Sequence, residues 1–319
     1  MMTDLPLDQV RTLLAAVDEG TFDAAAAALH VTPSAVSQRV KALEQQTGRV
    51  LLMRTKPIRP TESGQVLVRF ARQLAALQQD ARAELGIADA SGPAQLPIAV
   101  NADSLATWFL PALNRVPQDP PICFELHRED EAHTAALLRE GQVMAAVTSS
   151  ARPVAGCTVR PLGLNRYLPV ASSRFAERHL AAGPLAHCLP DAPVIVFDRR
   201  DALQDQFVRK LPADGDGTGI GTGGGGGSEG GGPRAGSVRH YVPTSEGYCD
   251  AVAAGLGWGL VPEQQAAPLL RSGGLVELTP GRWLDVPLYW QQWKLDVPAL
   301  GLVAEAVAAT AAEFLHAPA

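Results

Sequence analysis

The strongest constraint on the fold is a pair of short helical patterns joined by a tight turn near the start of the chain. Thr21 is a good N-cap for an alanine-rich helix that ends at Leu29, and three residues separate that helix from Pro33. Pro33 suits the first turn of a second helix, whose apolar residues recur at three- and four-residue spacing up to Gly48. Together with an amphipathic helix predicted over residues 7–17, this pattern indicates a helix-turn-helix.

A basic stretch overlaps and follows the second of these helices. The segment after Gly48, RVLLMRTKPIRPTESG, has short apolar runs, two prolines and several cations, which predicts a two-stranded wing. Residues 31–61 contain six basic residues and one acid, a local charge of +5, although the whole chain carries −6. A basic winged helix-turn-helix is typical of proteins that bind double-stranded DNA.

The outer face of the helix that begins at Pro33 is the predicted recognition surface. Its apolar side chains turn inward, so polar side chains are left to reach base edges, namely Thr32, Ser34, Ser37, Gln38 and Lys41. We expect the cations to lie along the phosphate backbone, where they supply affinity for any sequence: Arg39, Lys41, Arg54, Lys56 and Arg59. The alternative is an ordinary solvated helix face, which the co-occurrence of turn, wing and local charge disfavours.

A longer helical pattern follows the wing. From Glu62 to about Ala88 the chain has no proline, and apolar residues recur at intervals of three and four, namely Val66, Phe70, Leu74, Leu77, Ala81 and Leu85. An apolar stripe on a long helix needs a partner to cover it, and a second copy of the helix would do so. The pattern therefore predicts a symmetric dimer.

Composition divides the chain into three predicted units. Residues 1–60 form the winged helix-turn-helix domain and 61–90 the linker and dimerisation helix. Residues 91–319 form an α/β effector domain of two lobes, with the second lobe over about 163–270. A glycine-rich stretch at 214–233 is predicted to be a flexible surface insertion, because a phosphate loop would need a strand before it and a helix directly after it.

The third unit carries the candidate ligand contacts. Its short apolar runs predict buried, parallel strands, and ligands of such sheets sit beyond the carboxyl ends of the strands. We expect Ser104 to start a helix whose free N–H groups can hold a carboxylate. Acids near the other strand ends favour a cationic effector, although an acid taken singly is more often a helix cap or an exposed surface charge. The predicted effector contacts are Asp103, Ser104, Glu129, Asp130, Thr148, Asp198, Thr244 and Glu246.

Several classes of protein are disfavoured. The four cysteines are scattered, the seven histidines show no metal-binding spacing, and no nucleophile elbow of the type G-x-S-x-G is present. We therefore expect no enzyme, no metal and no cofactor beyond a small-molecule effector. The first residues lack the pattern of a secretory signal, and no apolar run is long enough to span a membrane, so we expect a cytoplasmic protein.

An ordered set of motifs resembles one family. The alanine-rich helix, the turn, SAVSQRVKALE, the G-x-x-L-x-x-R approach to the wing and T-E-x-G together resemble the LysR-type transcriptional regulators. HVTPSAVSQRVKALEQ, RTKPIRPTE and NADSLATWFLPAL resemble the lysine-export and arginine-responsive branch of that family. The resemblance covers almost the whole chain, and the glycine-rich insertion is its one departure.

The resemblance implies both a fold and a function. The fold is an all-α winged helix-turn-helix with a long linker helix, followed by an α/β, two-lobed effector domain like that of periplasmic binding proteins. The function is regulation of an amino-acid exporter gene in response to lysine or arginine. The implied partners are promoter DNA, further copies of the chain in a dimer or tetramer, and RNA polymerase, with no membrane.

Two other functions fit parts of the sequence. A solute-binding protein would need an export signal and no basic head, and the N-terminal residues disfavour it. An architectural protein that bends DNA without sensing a ligand stays open as the alternative. An effect of an amino acid on DNA binding would distinguish that protein from a ligand-responsive regulator.

Overall fold

The computed structural model describes residues 5–85, 94–128 without 118 and 120, 131–212 and 234–318. The glycine-rich stretch 214–233, the candidate contacts Glu129 and Asp130, and the last predicted turn of the linker helix lie outside the described residues. Within the described ranges, no helix is long and apolar enough to cross a membrane.

Three helices form the head: α1 (Leu7–Asp18), α2 (Phe22–Ala28) and α3 (Pro33–Thr47). Their apolar faces meet in one core that includes Leu13, Val36 and Leu43, all fully buried. Cutting Leu43 back to alanine would cost about 2 to 5 kcal/mol. The predicted cap is confirmed, because the Thr21 hydroxyl oxygen accepts a hydrogen bond from the backbone N–H of Ala24 at 3.1 Å.

The predicted wing is a short antiparallel pair, β1 (Leu52–Met53) and β2 (Arg59–Pro60). Thr61 ends it and caps the next helix, since its hydroxyl oxygen accepts a hydrogen bond from the N–H of Gly64 at 3.1 Å. Any side chain at Gly64 would collide with the carbonyl oxygen of Leu51. In the T-E-x-G motif, the threonine therefore caps the linker helix, and the glycine lets the helix pack closely against the start of the wing.

The linker helix α4 (Glu62–Glu84) has two apolar faces. One packs into the head core through Leu67, Val68 and Ala71. The other is the predicted stripe, and four of its six members are large apolar side chains that remain exposed in the single chain: Val66, Phe70, Leu77 and Leu85.

The body contains nine strands within the described residues: β3 (Ala94–Val100), β4 (Ile122–Arg128), β5 (Ala145–Thr148), β6 (Cys157–Ala171), β7 (Val194–Val196), β8 (Arg239–Tyr241), β9 (Gly259–Pro262), β10 (Val276–Glu277) and β11 (Leu284–Trp293). The larger sheet has the order β10-β6-β11-β5-β3-β4, with β9 also paired to β6, and β7 and β8 form a second sheet. Pairs β3–β4, β3–β5 and β7–β8 are parallel, whereas β6 and β11 pair antiparallel with each other and with their other partners. The expectation of uniformly parallel strands was wrong, because buried strands of either direction have the same apolar pattern.

Helices cover these sheets. They are α5 (Ala102–Ser104), a π-helical turn (Leu105–Phe109), α6 (Leu110–Leu113), α7 (Glu131–Glu140), α8 (Ser173–His179), α9 (Leu185–Cys188), α10 (Leu203–Lys210), α11 (Ser245–Ala253), α12 (Glu263–Ser272) and α13 (Pro298–Phe314). The body has one core around Trp108 and Trp290 and further cores around Trp258 and Val252. The long strands β6 and β11 contribute to both sides and join them.

Candidate functional site: a nucleic-acid interface and a ligand cleft

The outer face of α3 is polar and accessible. Thr32, Ser34, Gln38 and Lys41 are exposed, and Ser37 is half-buried. The Thr32 hydroxyl oxygen accepts a hydrogen bond from the N–H of Ala35 at 3.2 Å, which caps α3 and leaves the hydroxyl hydrogen free to donate. This face therefore has the donors and acceptors that reading base edges in a major groove requires.

The predicted phosphate contacts fall into two groups. Lys41, Arg54, Lys56 and Arg59 are exposed on α3 and the wing. Arg39 instead turns toward α1, where its Nη1 lies 3.5 Å from the Thr12 hydroxyl and its Nε 3.8 Å from the Asp8 carboxylate. The structure thus leaves four of the five predicted cations fully open to a phosphate.

The one acid in the basic window has an internal role. The Glu44 carboxylate accepts hydrogen bonds from the backbone N–H groups of Leu51 and Leu52 at 2.8 and 3.4 Å. This carboxylate fastens the start of the wing to α3 and is occupied there. The positive surface therefore keeps its charge without an opposing acid on the recognition face.

A cleft of about 800 Å³ opens in the body, lined both by residues at the ends of β3, β4 and β5 and by residues of the turn between β7 and α10. Three predicted effector contacts line it: Asp103, Thr148 and Asp198. Ser104, Thr244 and Glu246 are described residues outside the lining. Arg128 and Ser149, which also follow predicted strands, line the cleft, as do polar residues that the sequence did not indicate, including Ser150, Tyr167, Asp201 and Gln204.

The expectation that Ser104 starts a helix was wrong. Helix α5 begins at Ala102, and the side chain of Asn101 caps it by accepting a hydrogen bond from the Ser104 N–H at 2.7 Å. Ser104 is fully buried, and its hydroxyl has no partner within the described part of the chain. An asparagine directly after a strand caps a helix as well as serine does, so either residue fitted the sequence pattern.

Asp103 joins the two sides of the cleft. Its carboxylate accepts a hydrogen bond from the Tyr167 hydroxyl and another from the Ser245 hydroxyl, both at 2.6 Å. Burial of the carboxyl group raises the pKa of Asp103, and the nearby charges of Asp201 and Glu246 raise it further against the two hydrogen bonds, which lower it. A cation bound beside Asp103 would stabilise the ionised carboxylate and lower this pKa again.

Two further acids line the same wall. One Asp198 oxygen accepts hydrogen bonds from the backbone N–H groups of Arg200 and Asp201, at 2.7 and 3.0 Å. Asp201 accepts hydrogen bonds from the N–H groups of Phe197 and Leu203, both at 3.0 Å, which orders the turn between β7 and α10. Both carboxylates are thus held in place by main-chain donors.

Comparison with known proteins gives the family. The sequence profile described as "Bacterial regulatory helix-turn-helix protein, lysR family" matches residues 7–65. The lysine export transcriptional regulatory protein LysG of Corynebacterium glutamicum is 44% identical over 308 residues, which cover 97% of this chain and 98% of that protein. The chain belongs to the LysR family. It is therefore a DNA-binding transcriptional regulator and not an enzyme.

Two solved structures extend this likeness to the whole fold. The crystal structure of ArgP from Mycobacterium tuberculosis has a TM-score of 0.87 and 43% identity, and covers 99% of this chain and 100% of that one. Full-length LysG of C. glutamicum with bound effector Arg has a TM-score of 0.80 and 40% identity, and covers 98% and 100%. The predicted two-lobed effector domain of a LysR regulator is confirmed. Regulators of this family bind promoter DNA and form oligomers.

Sequence reasoning missed three of the polar residues that line the cleft of this LysR regulator. Tyr167 lies within a long strand, and Asp201 and Gln204 lie in the turn after β7 and in α10. A search limited to strand ends cannot find a residue that enters a cleft from mid-strand or from a helix. Asp201 had a weak signal, because an acid just before an amphipathic helix is a common cap.

Proposed function

We propose that this LysR regulator binds a basic amino acid, arginine or lysine, in the cleft of its body and thereby changes its contacts with promoter DNA. One observation carries the proposal: three acidic residues, Asp103, Asp198 and Asp201, line one cleft together with two arginines, Arg128 and Arg200. A basic amino acid has a carboxylate and two cationic groups, so its charges are complementary to a lining of both signs.

The relatives support the choice of effector. One solved relative that shares 40% of its residues contains Arg as its effector, and a curated relative is named for lysine export. We propose that Asp103 and Asp198 face the cationic groups and that Thr148 contacts the polar backbone of the effector. By extension, the regulated gene encodes an exporter of basic amino acids.

The DNA-binding residues are proposed from exposure and charge. Ser34, Ser37 and Gln38 face the bases, while Arg54 and Lys56 in the wing contact phosphates. Thr32 and Lys41 also face the bases, and Lys41 and Arg59 also contact phosphates. Arg39 is half-buried and holds α3 to α1 through its contacts with Thr12 and Asp8. We propose that its exposed part contacts a phosphate.

The proposed organisation of the chain follows the three predicted units, 1–60, 61–90 and 91–319. The exposed stripe of α4 pairs two copies in a cytoplasmic homodimer, and two dimers form a tetramer on DNA. We also propose that the regulator contacts RNA polymerase, because both proteins bind at the same promoter.

Thermal unfolding with each of the twenty amino acids tests the effector. A ligand at about a hundred times its Kd stabilises the folded state by about 2.7 kcal/mol, which is several degrees of Tm for a chain of this size. We expect saturable stabilisation by arginine or lysine and none by alanine or glutamate. Stabilisation by none of the twenty, with promoter binding intact, would favour the architectural alternative.

A further inference from the structure

Arg69 is one of the linker-helix side chains that contact the body. Arg69 of α4 donates a hydrogen bond from Nη1 to the carbonyl oxygen of Ala155 at 2.9 Å. Its backbone lies against Gly141, where any side chain would approach the Cα of Arg69 to 2.9 Å. Its Cζ lies 4.0 Å from where a side chain of Gly156 would begin. Gly141 and Gly156 both have positive φ, at +73° and +81°, a conformation that favours glycine. Arg69 therefore packs against two turns of the body that leave no room for a side chain at Gly141.

The segment that ends at Ala155 begins in the cleft. Thr148, Ser149 and Ser150 line the cleft, and residues 151–155 lead from it to the linker helix. A short, continuous piece of chain therefore has one end at the proposed effector and the other at Arg69.

A buried amide holds this segment along its length. Gln291 of β11 is 1% exposed, and its Nε2 donates to the carbonyl oxygens of Ser150 and Arg152 at 3.0 and 3.1 Å. Its Oε1 accepts a hydrogen bond from the N–H of Val154 at 3.0 Å. Because these bonds join one buried side chain to three main-chain atoms, they fix the conformation of the segment against β11.

The opposite side of α4 belongs to the head. Val68 and Ala71 pack in the head core, and Arg72 donates to the Asp18 carboxylate of α1 at 2.5 Å. Arg72 also donates to the carbonyl oxygen of Glu140 in the body at 3.1 Å, so it joins the head and the body beside Arg69. A displacement of α4 at Arg69 therefore reaches the domain that contacts DNA.

We propose that residues 149–155, held by Gln291, transmit occupancy of the cleft to the linker helix through Arg69. Arg69 is a positioning residue: it contacts neither the cleft lining nor the recognition face. The inference rests on the proposed function, because it assumes that an amino acid binds in the cleft.

The test uses full-length protein with three substitutions. Arg69→Met keeps the aliphatic stem against Gly141 and removes the hydrogen bond, Arg69→Lys restores a donor, and Arg82→Met is the matched control, an exposed arginine on the same helix. For each, the Kd for arginine is measured by calorimetry without DNA, and the Kd for promoter DNA by fluorescence anisotropy with and without saturating arginine. The ratio of the two promoter Kd values is the coupling factor.

We expect Arg69→Met to bind arginine within about twofold of the wild type, while its coupling factor falls to within about twofold of one. Arg69→Lys recovers part of the wild-type factor, and Arg82→Met keeps all of it. Hydrogen exchange gives a second readout: arginine protects both 149–155 and α4 in the wild type, but only 149–155 in Arg69→Met.

Different failures have different meanings. A wild-type coupling factor in Arg69→Met, or an equal loss in Arg82→Met, would overturn the transmission through Arg69. A wild-type protein that binds arginine but shows a coupling factor of one would refute the effect of the ligand on DNA binding in the proposed function, and the transmission with it. Absence of arginine or lysine binding by the wild type would instead refute the proposed function. If Arg69→Met does not fold, Arg69→Lys replaces it. A coupling factor and an exchange protection of α4 equal to those of the wild type in Arg69→Lys would then overturn the transmission, and a reduction in both would support it.

Discussion

Effector binding should release a proton from Asp103. The pKa of this carboxyl is raised above its ordinary value of 3.8, first by burial and then by the charges of Asp201 and Glu246. A cationic side chain bound in the cleft favours the ionised form, so binding lowers the pKa of Asp103. Around Asp103 the other facing groups are the hydroxyls of Tyr167 and Ser245, and burial and the Asp103 charge hold the Tyr167 pKa well above its usual range.

The sign and size of the effect follow from linkage. At pH values between the pKa of Asp103 in the complex and its raised pKa in the free protein, part of the protein must lose a proton when the cation binds, so affinity for arginine rises with pH. One titrating group limits the rise to about tenfold per pH unit, or about 1.4 kcal/mol, and the affinity becomes constant above the raised pKa.

Calorimetry checks this directly. Titrations with arginine over that pH range, each in two buffers of different ionisation enthalpy, report the number of protons released. We expect up to one proton in the wild type, almost none in Asp103→Asn, and the wild-type value in Asp250→Asn, an exposed acid on α11. An affinity for arginine that does not change over this range, or the same pH dependence in Asp103→Asn, would refute the reasoning.

Three further predictions concern the head and the linker. Gln38→Ala should weaken discrimination at one operator position by about 1 to 3 kcal/mol, whereas Lys56→Ala should weaken binding to all sequences and lower the salt slope by about one unit. Phe70→Glu should dissociate the dimer, because it places a charge in the exposed stripe of α4, and light scattering after gel filtration would report the mass. Gly64→Ala should destabilise the head by about 3 kcal/mol, measured by urea unfolding, because the new methyl group collides with the Leu51 carbonyl oxygen.

Each of these has a matched control and a contradicting result. Equal behaviour of Gln38→Ala and Lys56→Ala would show that the helix and wing roles are wrongly assigned. A dimer that survives Phe70→Glu, with Arg82→Glu as control, would place the interface elsewhere. Gly48→Ala meets no neighbouring atom within 4 Å and should cost only the strain of its positive φ, about 1 kcal/mol, so a similar cost for Gly64→Ala would refute the collision argument.

The head could be predicted almost completely because its determinants are local. Thr21, Pro33 and Gly48 lie at the ends of helices, and the apolar spacing between them sets the buried faces. The exposed stripe of α4 was equally readable, since a helix of 23 residues repeats its period several times.

The body could be predicted only in part. The positions of its strands followed from apolar runs, but the antiparallel pairing of β6 with β11 joins residues more than a hundred positions apart, and no local signal sets its direction. The hydrogen bonds of Asp103 with Tyr167 and Ser245 also join residues that are far apart in the sequence, so no local pattern predicts them. Arg39 was assigned to phosphate because the sequence does not reveal that Asp8 and Thr12 lie beside it.

Promoter binding with and without amino acids is the most direct test of the central claim. Full-length protein would be titrated onto a fluorescent fragment of the DNA next to its own gene, with saturating arginine, lysine or alanine. We expect arginine or lysine to change the promoter Kd or the length of the protected DNA, and alanine to leave both unchanged. Binding that is identical in all three titrations would contradict it.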